Sequence, residues 1–331
     1  MIKLEYKYNI VWIVGLMLMY CLHGNAQQEP HYTHFMYTQM SNNPGYAGSQ
    51  DKVFASVVQR NQYLGLIDEG APVTTLATVN APFKLLGKEH GVGISVINDA
   101  IGFDQNVIVR LGYAYRTDLG DGKLGIGGGL FVNNISTDNS NWRPSEDNAN
   151  GEYWGAFSMS DGSAFNMDLD LGLYYKYNDL YFGVSGTRLL QTNYKLQQGG
   201  TTGTKGADNP SVPNARHLYL TAGYLFQLSN PSFELQPNVM IEKGGASTQY
   251  NINTTLIYNK KFWGGLTLRN PEMGIMAGIE MSNNLRLGVA YDVVLSGLGT
   301  ASKGNVEILI NYSFEIKKEK IPQRYKSIRY L

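Results

Sequence analysis

The segment from Phe165 to Tyr177 has large apolar residues at every odd position and polar or small residues at nearly every even one. Because successive side chains of a β-strand point to opposite faces, this strand has one apolar and one polar face. Tyr174 is the one large exception. A soluble sandwich buries its apolar face, but a long strand of this kind, repeated many times with aromatic residues near its ends, is typical of a barrel whose apolar face meets lipid. The segment therefore predicts a transmembrane β-barrel and a function at a membrane.

Residues 1–26 have the features of a secretory signal peptide. Two lysines precede an apolar run at residues 10–22, and Gly24 and Ala26 supply small residues where a signal peptidase cuts. A retained anchor helix is the alternative, but the run is short for one. The only cysteine, Cys21, lies in this segment. We therefore expect cleavage after Ala26 and a mature chain without disulfide or thiol chemistry.

The composition narrows the function further. Removing residues 1–26 takes two lysines and one glutamate from 27 basic and 27 acidic residues, which leaves 25 and 26. Such a balance gives no indication of nucleic acid as a partner. The 23 tyrosines, the 38 glycines and a charged fraction of only 16% are unusual for a soluble enzyme. With the export signal, they favour localisation in the outer membrane, in contact with its lipid.

Alternation along the rest of the chain predicts an all-β, antiparallel transmembrane barrel of about 14 strands over residues 51–314. An even number returns both termini to the periplasm. The predicted strands are Val53–Gln62, Val73–Ala81, Val92–Asn98, Val107–Arg116, Lys123–Asn133, Phe165–Tyr177, Leu180–Leu189, His217–Leu228, Phe233–Glu242, Thr248–Tyr258, Phe262–Leu268, Met273–Met281, Leu285–Val294 and Asn305–Phe314.

The gaps between these strands test the count, because bacterial barrels pair short periplasmic turns with longer external loops. If the first strand starts in the periplasm, the even-numbered gaps must be short, and those after the fourth, sixth, eighth, tenth and twelfth strands are rich in turn residues. The two long gaps, 134–164 and 190–216, then both fall on the external side. Residues 27–50 form a polar and aromatic N-terminal segment, periplasmic or folded into the barrel as a plug, and residues 315–331 form a basic periplasmic tail.

Few residues indicate chemistry. His31 and His34 have the spacing of metal ligands, but no nearby cysteine or carboxylate completes a set. A lipase would need a serine and an orienting group beside His217, and no motif in the sequence identifies a serine as the partner of this histidine. The glycines of 125–129 lack the lysine and helix of a phosphate loop, so they indicate close backbone packing.

Ion pairs that fill the lumen are the favoured interpretation of the inward-facing Arg110, Arg116, Asp168, Asp170, Glu234, Glu242, Arg286 and Asp292. We expect no catalytic residue, no metal and no cofactor.

Several distinctive blocks follow one another along the mature chain. They are Tyr32-Thr33-His34-Phe35-Met36-Tyr37, Asn43-Pro44-Gly45-Tyr46-Ala47-Gly48, Arg60 with Gln62, Gly70-Ala71-Pro72, Gly91-Val92-Gly93, Asn98-Asp99, Ile101-Gly102, Tyr113-Ala114-Tyr115-Arg116 and the ending Arg324-Tyr325 to Arg329-Tyr330-Leu331. In this order the blocks resemble the PorP/SprF family of the type IX secretion system and gliding machinery of Bacteroidota, which implies the outer membrane of a Gram-negative, Bacteroidota-like cell. The family commonly has alanine at the position of Gly45 and tryptophan at that of Tyr63.

The resemblance implies a non-enzymatic outer-membrane barrel that assists type IX secretion. Its expected partners are a secreted cargo, such as a giant gliding adhesin with a type B C-terminal domain, and periplasmic components, either the secretion ring or a peptidoglycan-binding lipoprotein. The candidate partner residues carried by the motifs are Asn43, Pro44, Tyr46, Gly48, Arg60, Gln62, Pro72, Asn98, Asp99, Gly102, Arg324, Tyr325, Arg329 and Tyr330. In the long loops, the candidate cargo contacts are Trp142, Tyr153 and Trp154.

The rival hypothesis is an outer-membrane porin or solute transporter. Fourteen strands enclose space that must be filled by side chains or by an inserted segment if the barrel does not conduct. Small inward residues such as Gly183 and Ser185 leave that question open at the level of sequence.

Overall fold

The computed structural model describes residues 29–65, 70–137, 162–195, 197–198, 211–212, 214–245, 247–281, 284–300 and 302–315. Fourteen antiparallel strands of eight residues or more form one closed barrel. They are β1 (Val53–Asn61), β2 (Val73–Leu85), β3 (Lys88–Ile101), β4 (Asp104–Leu119), β5 (Gly122–Thr137), β6 (Gly162–Tyr177), β7 (Leu180–Thr187), β8 (His217–Tyr224), β9 (Phe233–Gly244), β10 (Ser247–Tyr258), β11 (Phe262–Arg269), β12 (Glu272–Glu280), β13 (Leu285–Val294) and β14 (Asn305–Phe314).

Each strand pairs with its neighbours in sequence, and β14 pairs with β1 to close the wall. The predicted fold class and strand number are confirmed. The strand ends differ from the prediction by up to four residues, as at β3, which was expected to begin at Val92 and begins at Lys88. Alternation marks the middle of a strand well, but hairpin pairing extends strands into polar residues that carry no alternation.

Short elements complete the described chain. No helix among these residues is long and apolar enough to span a membrane. The 3-10 helices are Phe35–Tyr37, Gln39–Ser41, Pro44–Tyr46 and Gly297–Thr300. The two-residue strands are Tyr194–Lys195, Gln197–Gln198, Ser211–Val212 and Phe226–Gln227.

The burial of side chains follows the predicted alternation. On β6, Leu169 and Leu171 are 46% and 58% exposed on the outside, whereas Asp168 and Asp170 are 1% and 2% exposed on the inside. Comparable exposed apolar residues lie on thirteen of the fourteen strands, and the outward-facing apolar residues of β9 are half-buried. A water-soluble protein rarely exposes an apolar patch larger than a few hundred Å². The outer surface therefore suits hydrocarbon, and the polar side chains line the interior.

The connections differ between the two ends of the barrel. At the end where β1 begins and β14 ends, here called the turn end, the connections are 86–87, 120–121, 178–179, 225–232, 259–261 and 281–284. At the opposite end, the loop end, they are 62–72, 102–103, 138–161, 188–216, 245–246, 270–271 and 295–304. The long connections all lie at the loop end, which is the end expected to face outward.

A proline interrupts one strand. β8 stops at Tyr224 and pairing resumes at Phe226–Gln227, and Pro237 of β9 lies opposite this break. Proline has no N–H to donate to a neighbouring strand. On the other side of this strand, the N–H of Leu225 donates to the carbonyl of Asp179, next to β7, at 3.0 Å. The strand predicted to run unbroken from 217 to 228 is therefore divided in two.

Candidate functional site: the filled lumen and its loop-end mouth

Residues 29–50, here called the luminal segment, lie inside the barrel. Their polar contacts reach the wall on every side, from Glu307 on β14 to Asn80 on β2, Ser185 on β7 and Glu242 on β9. The segment passes from Glu29 near the loop end to Gly48, which packs beside the β2–β3 hairpin at the turn end. Most of its side chains are fully buried.

The luminal segment forms short turns instead of a strand. Its three 3-10 helices are each three residues long, and the last begins with Pro44 after Asn43. The side chain of Asn43 accepts the N–H of Gly45 at 2.8 Å, which caps this turn. Since such turns leave many backbone groups unpaired, the segment depends on the barrel wall for hydrogen bonds.

One set of these bonds comes from four charged residues near the loop end, the Arg60 cluster: Arg60, Asp292 and Glu307, which are buried, and Glu272, which is partly buried. Nη1 of Arg60 lies 2.6 Å from Asp292 and 3.1 Å from Glu307, and Nη2 lies 2.9 Å from Glu272. The carboxylate of Glu307 also accepts the backbone N–H groups of Thr33 and His34, both at 2.8 Å. The cluster therefore ties the luminal segment to β1, β12, β13 and β14. The predicted partner candidate Arg60 is fully buried within it.

A second buried group, the Glu29 cluster, comprises Glu29, Arg110, Arg188 and Tyr219. The carboxylate of Glu29 lies 2.5 Å from Arg110 and 2.6 Å from Arg188, and it accepts the hydroxyl of Tyr219 at 3.0 Å. Burial acts to raise the pKa of Glu29, but the charges of Arg110 and Arg188 outweigh it and hold that pKa below its usual value. Glu29 is thus an ionised anchor at the start of the luminal segment.

Glycines of the wall make room for the family motif 43–48. A Cβ on Gly127 would overlap the backbone nitrogen of Gly45, and a Cβ on Gly91 would overlap the carbonyl of Ala47. A Cβ on Gly45 itself would lie 2.8 Å from the carbonyl oxygen of Gly172. These contacts explain why glycine suits position 45 here. They also agree with the close backbone packing predicted for residues 125–129.

The same motif packs against aromatic residues of the wall. Tyr46 meets Tyr174 edge to face with ring centroids 5.1 Å apart, and Tyr174 stacks on Tyr181 at 5.9 Å. Tyr174, the residue that breaks the alternation of β6, is 3% exposed and faces inward. Gly48 has a φ of +71° and donates its N–H to Asn80 at 3.2 Å. Asn43 donates to the carbonyl of Leu173 at 3.0 Å.

An apolar row crosses the otherwise polar interior. Leu309, Val58, Leu76, Ile97 and Ile108 lie opposite one another on five adjacent strands, and each is 2% exposed or less. They form one cluster with Tyr32 and Met36 of the luminal segment. The next row toward the turn end contains Asn311, Ser56, Thr78 and Ser95, whose buried polar atoms have no partner among the described residues. The apolar row therefore separates this polar layer from the Arg60 cluster.

The remaining motif candidates lie around the loop end. The N–H of Gln62 donates to the carbonyl of Pro72 at 2.9 Å, and that of Gly102 donates to Gly70 at 3.0 Å. Asp99 faces the lumen and accepts the hydroxyl of Thr74 at 2.6 Å. Asn98 lies on the outer face and accepts a bond from Gln105 at 3.2 Å. The structure therefore does not bring all of these candidates into one site.

Other candidates fall outside the residues that the structure describes. They are Trp142, Tyr153 and Trp154 of the longest connection and Arg324, Tyr325, Arg329 and Tyr330 of the tail.

The two histidines of the metal-like spacing contact different carboxylates. Nδ1 of His31 lies 3.2 Å from Glu242, and Nδ1 of His34 lies 2.6 Å from Glu307. Within the described ranges, no three His, Cys, Asp or Glu side chains are grouped to hold a metal ion. The ring of His217 lies against the backbone carbonyl of Ala215 at 3.0 Å.

The inward aspartates of β6 support the chain that follows β7. Asp170 accepts the N–H of Arg188 at 2.9 Å, and Asp168 accepts those of Leu190 and Thr192 at 2.8 and 3.2 Å. Asp170 also lies 3.3 Å from Nε of Arg110. Asp170 thus belongs to an ion pair, as expected of the inward charges, while Asp168 serves a loop backbone. Alternation gives the face of a side chain but not which distant backbone group it will meet.

Above the Glu29 cluster, the loop end holds a cavity of about 330 Å³, here called the mouth pocket. Its floor is Glu29 and Pro30, and its polar walls are Asp99, Asp104, Asn106, Asn133, Asn214 and Arg188, with isoleucines between them. Sequence reasoning did not identify this pocket. Asn133 lies on the inward face of β5, but its neighbours Asn106 and Asn214 come from other parts of the chain.

The fold and the filled lumen define the class: an outer-membrane β-barrel with an internal segment bonded to its wall. The sequence model of the type IX secretion system membrane protein PorP/SprF matches residues 24–312. The chain belongs to the PorP/SprF family.

Comparisons with solved structures give distant likenesses. The outer-membrane protein Omp33 of Acinetobacter baumannii is 10% identical, with a TM-score of 0.43, over 80% of this chain and 99% of that one. The toluene transporter TodX of P. putida is 11% identical, with a TM-score of 0.43, over 84% and 93%. The KdgM porin is 9% identical, with a TM-score of 0.34, over 79% and 99%. No curated protein matches the sequence.

Proposed function

We propose that this protein is a closed, non-enzymatic barrel that assists type IX secretion from the outer membrane. Its loop end holds a secreted cargo, such as a gliding adhesin with a type B C-terminal domain, at the cell surface. Its turn end and the basic tail contact the periplasmic secretion ring or a peptidoglycan-binding lipoprotein. Family membership supports the link to secretion.

The filled lumen is the observation that favours a role in holding cargo over a role in transporting solutes. A porin needs a continuous aqueous path, whereas here the luminal segment meets the apolar row and both charged clusters. The buried ion pairs and backbone bonds that hold the segment would all have to break for it to leave. Breaking a buried pair by removing one partner costs about 3–5 kcal/mol, so the segment is a fixed part of the barrel.

The loop end suits cargo because its connections are long and lie on the side that faces outward in bacterial barrels. The turn end suits a periplasmic partner because its six connections are compact. The tail after Glu315 adds six basic residues: Lys317, Lys318, Lys320, Arg324, Lys326 and Arg329. A basic extension of this kind favours an acidic partner surface.

The test is a tagged pull-down from native outer membranes in mild detergent, with mass spectrometry of the bound proteins, beside conductance of the purified barrel in planar bilayers. Recovery of a type IX substrate or of ring components, with no conductance, is the expected result. A barrel that is recovered alone and conducts steadily is a porin, which contradicts the proposal. A chain lacking residues 316–331 should assemble normally, keep the cargo and lose the periplasmic proteins.

A further inference from the structure

The mouth pocket has the chemistry of a binding site. Asn133 and Asn214 are 4% and 2% exposed, yet Asn133 Oδ1 and Asn214 Nδ2 have no hydrogen-bond partner among the described residues. Oδ1 of Asn106 and Nε of Arg188 are buried and unpartnered in the same way. A buried polar atom without a partner costs about 1–3 kcal/mol. A ligand that supplies these partners is therefore strongly favoured.

The floor and walls of this pocket are rigid. Glu29 is held by Arg110 and Arg188, and Arg188 also lies over the ring of Phe131 at 5.1 Å. Asn133 and Asn106 lie on β5 and β4, which pair along their full length. Side chains fixed in this way need little ordering when a ligand binds, so more of the contact energy appears as affinity.

The unpartnered atoms include both hydrogen-bond acceptors and hydrogen-bond donors. This combination indicates the chemical class of the ligand. A peptide group carries one N–H and one C=O, and an asparagine carboxamide offers the complementary pair. Glu29 and Arg188 pair on the floor, and the carboxylates of Asp99 and Asp104 in the walls disfavour an anionic ligand. None of the described residues that line the pocket is aromatic, so this part of the chain offers no flat surface against which a sugar ring stacks. The volume is at the small end of the range for ligand sites, about 300–1,000 Å³.

We infer that the mouth pocket binds an uncharged, extended stretch of the cargo polypeptide through its asparagines. This inference rests on the proposed function and gives it a site: the cargo is held by backbone recognition at the floor of the loop end, directly above the luminal segment. The cargo would then bind to a part of the protein that the Glu29 cluster fixes to the barrel wall.

The test measures binding of the purified full-length barrel to purified C-terminal domains of the type IX substrates of the same organism. Asn133→Ala combined with Asn106→Ala should weaken binding about tenfold, as expected for the loss of two hydrogen bonds. Asn311→Ala is the matched control, because Asn311 is 2% exposed and its amide is also unpartnered, but it lies toward the turn end. It should leave the affinity unchanged.

A cross-linking measurement keeps the test valid if the double variant assembles poorly. A photoreactive residue at Ile135, which lines the pocket, should link to the bound domain, and one at the outward-facing Val132 should not. Normal binding by the double variant with no link from position 135 overturns the inference and leaves the proposed function standing. Failure of every domain to bind the unaltered barrel overturns both. If the strain's lipopolysaccharide core oligosaccharide binds in an Asn133-dependent way and the domains do not, the pocket is a sugar site and the inference is wrong.

Discussion

The imidazole of His34 and the carboxylate of Glu307 meet 2.6 Å apart inside the barrel, and neither side chain is exposed to solvent. One lies near the start of the luminal segment and the other near the start of the last strand. The same carboxylate accepts two backbone N–H groups of the segment and contacts Arg60. Glu307 is therefore the residue on which the largest number of luminal contacts converge near the loop end.

Replacing Glu307 with alanine should destabilise the barrel by about 3–5 kcal/mol, because Arg60 and His34 lose a buried partner. The measurement is the temperature at which the barrel loses its compact migration in detergent gels. Glu234→Ala is the control, since Glu234 faces inward but lies 3.7 Å from Lys260, whose side chain is 76% exposed, and such a pair contributes about 1 kcal/mol or less. Equal shifts for the two variants would show that the Arg60 cluster does not hold the segment.

The apolar row should act as the seal of the lumen. Leu76→Ser with Ile97→Ser places hydroxyls between the polar layer and the Arg60 cluster, so that water can join the two. We expect brief conductance events in planar bilayers where the unaltered barrel has none. The neighbouring Val96→Ser, on the lipid-facing side at 36% exposure, should not conduct. A double variant that does not conduct would show that other residues in the lumen form the seal.

Gly127 and Gly128, adjacent on β5, should differ sharply in their tolerance of a larger side chain. A side chain on Gly127 collides with the backbone of Gly45, whereas a Cβ on Gly128 meets only Leu171 at 3.8 Å. Gly127→Val should cost at least about 1–3 kcal/mol and lower the amount of assembled barrel in the outer membrane. Gly128→Val should accumulate to the normal level. Comparable losses for both would mean that the motif 43–48 does not pack against β5.

Stability should fall in acid through Glu29. Its pKa is lower in the folded barrel than in the unfolded chain, so the ion pairs stabilise fully above about pH 5 and are lost as the pH falls through the lowered value. The melting temperatures of the unaltered barrel and of Glu29→Gln should therefore differ by a constant amount from pH 7 to about pH 5, and the difference should shrink steadily below that pH. A difference that does not narrow between about pH 5 and about pH 2 would contradict the role given to Glu29.

The wall was predictable from the sequence because one strand face meets lipid and the other meets the lumen, and this contrast repeats every second residue. The Leu285–Val294 and Asn305–Phe314 strands were predicted to the residue. The interior was not predictable in the same way. Thr33 and Glu307 meet across 274 positions, and the luminal segment has no period that marks its partners. Tyr174 is a large residue on the inward face, where the other residues are polar or small, because it packs against Tyr46 of the luminal segment, which alternation alone does not reveal.

The pairing of β1 with β14 brings the first and last strands of the wall together at one seam. Glu307 lies opposite Arg60 across that seam and pairs with it, while its carboxylate also accepts the backbone N–H groups of Thr33 and His34. One residue therefore takes part both in closing the wall and in fixing what the wall contains, so a substitution at Glu307 weakens both.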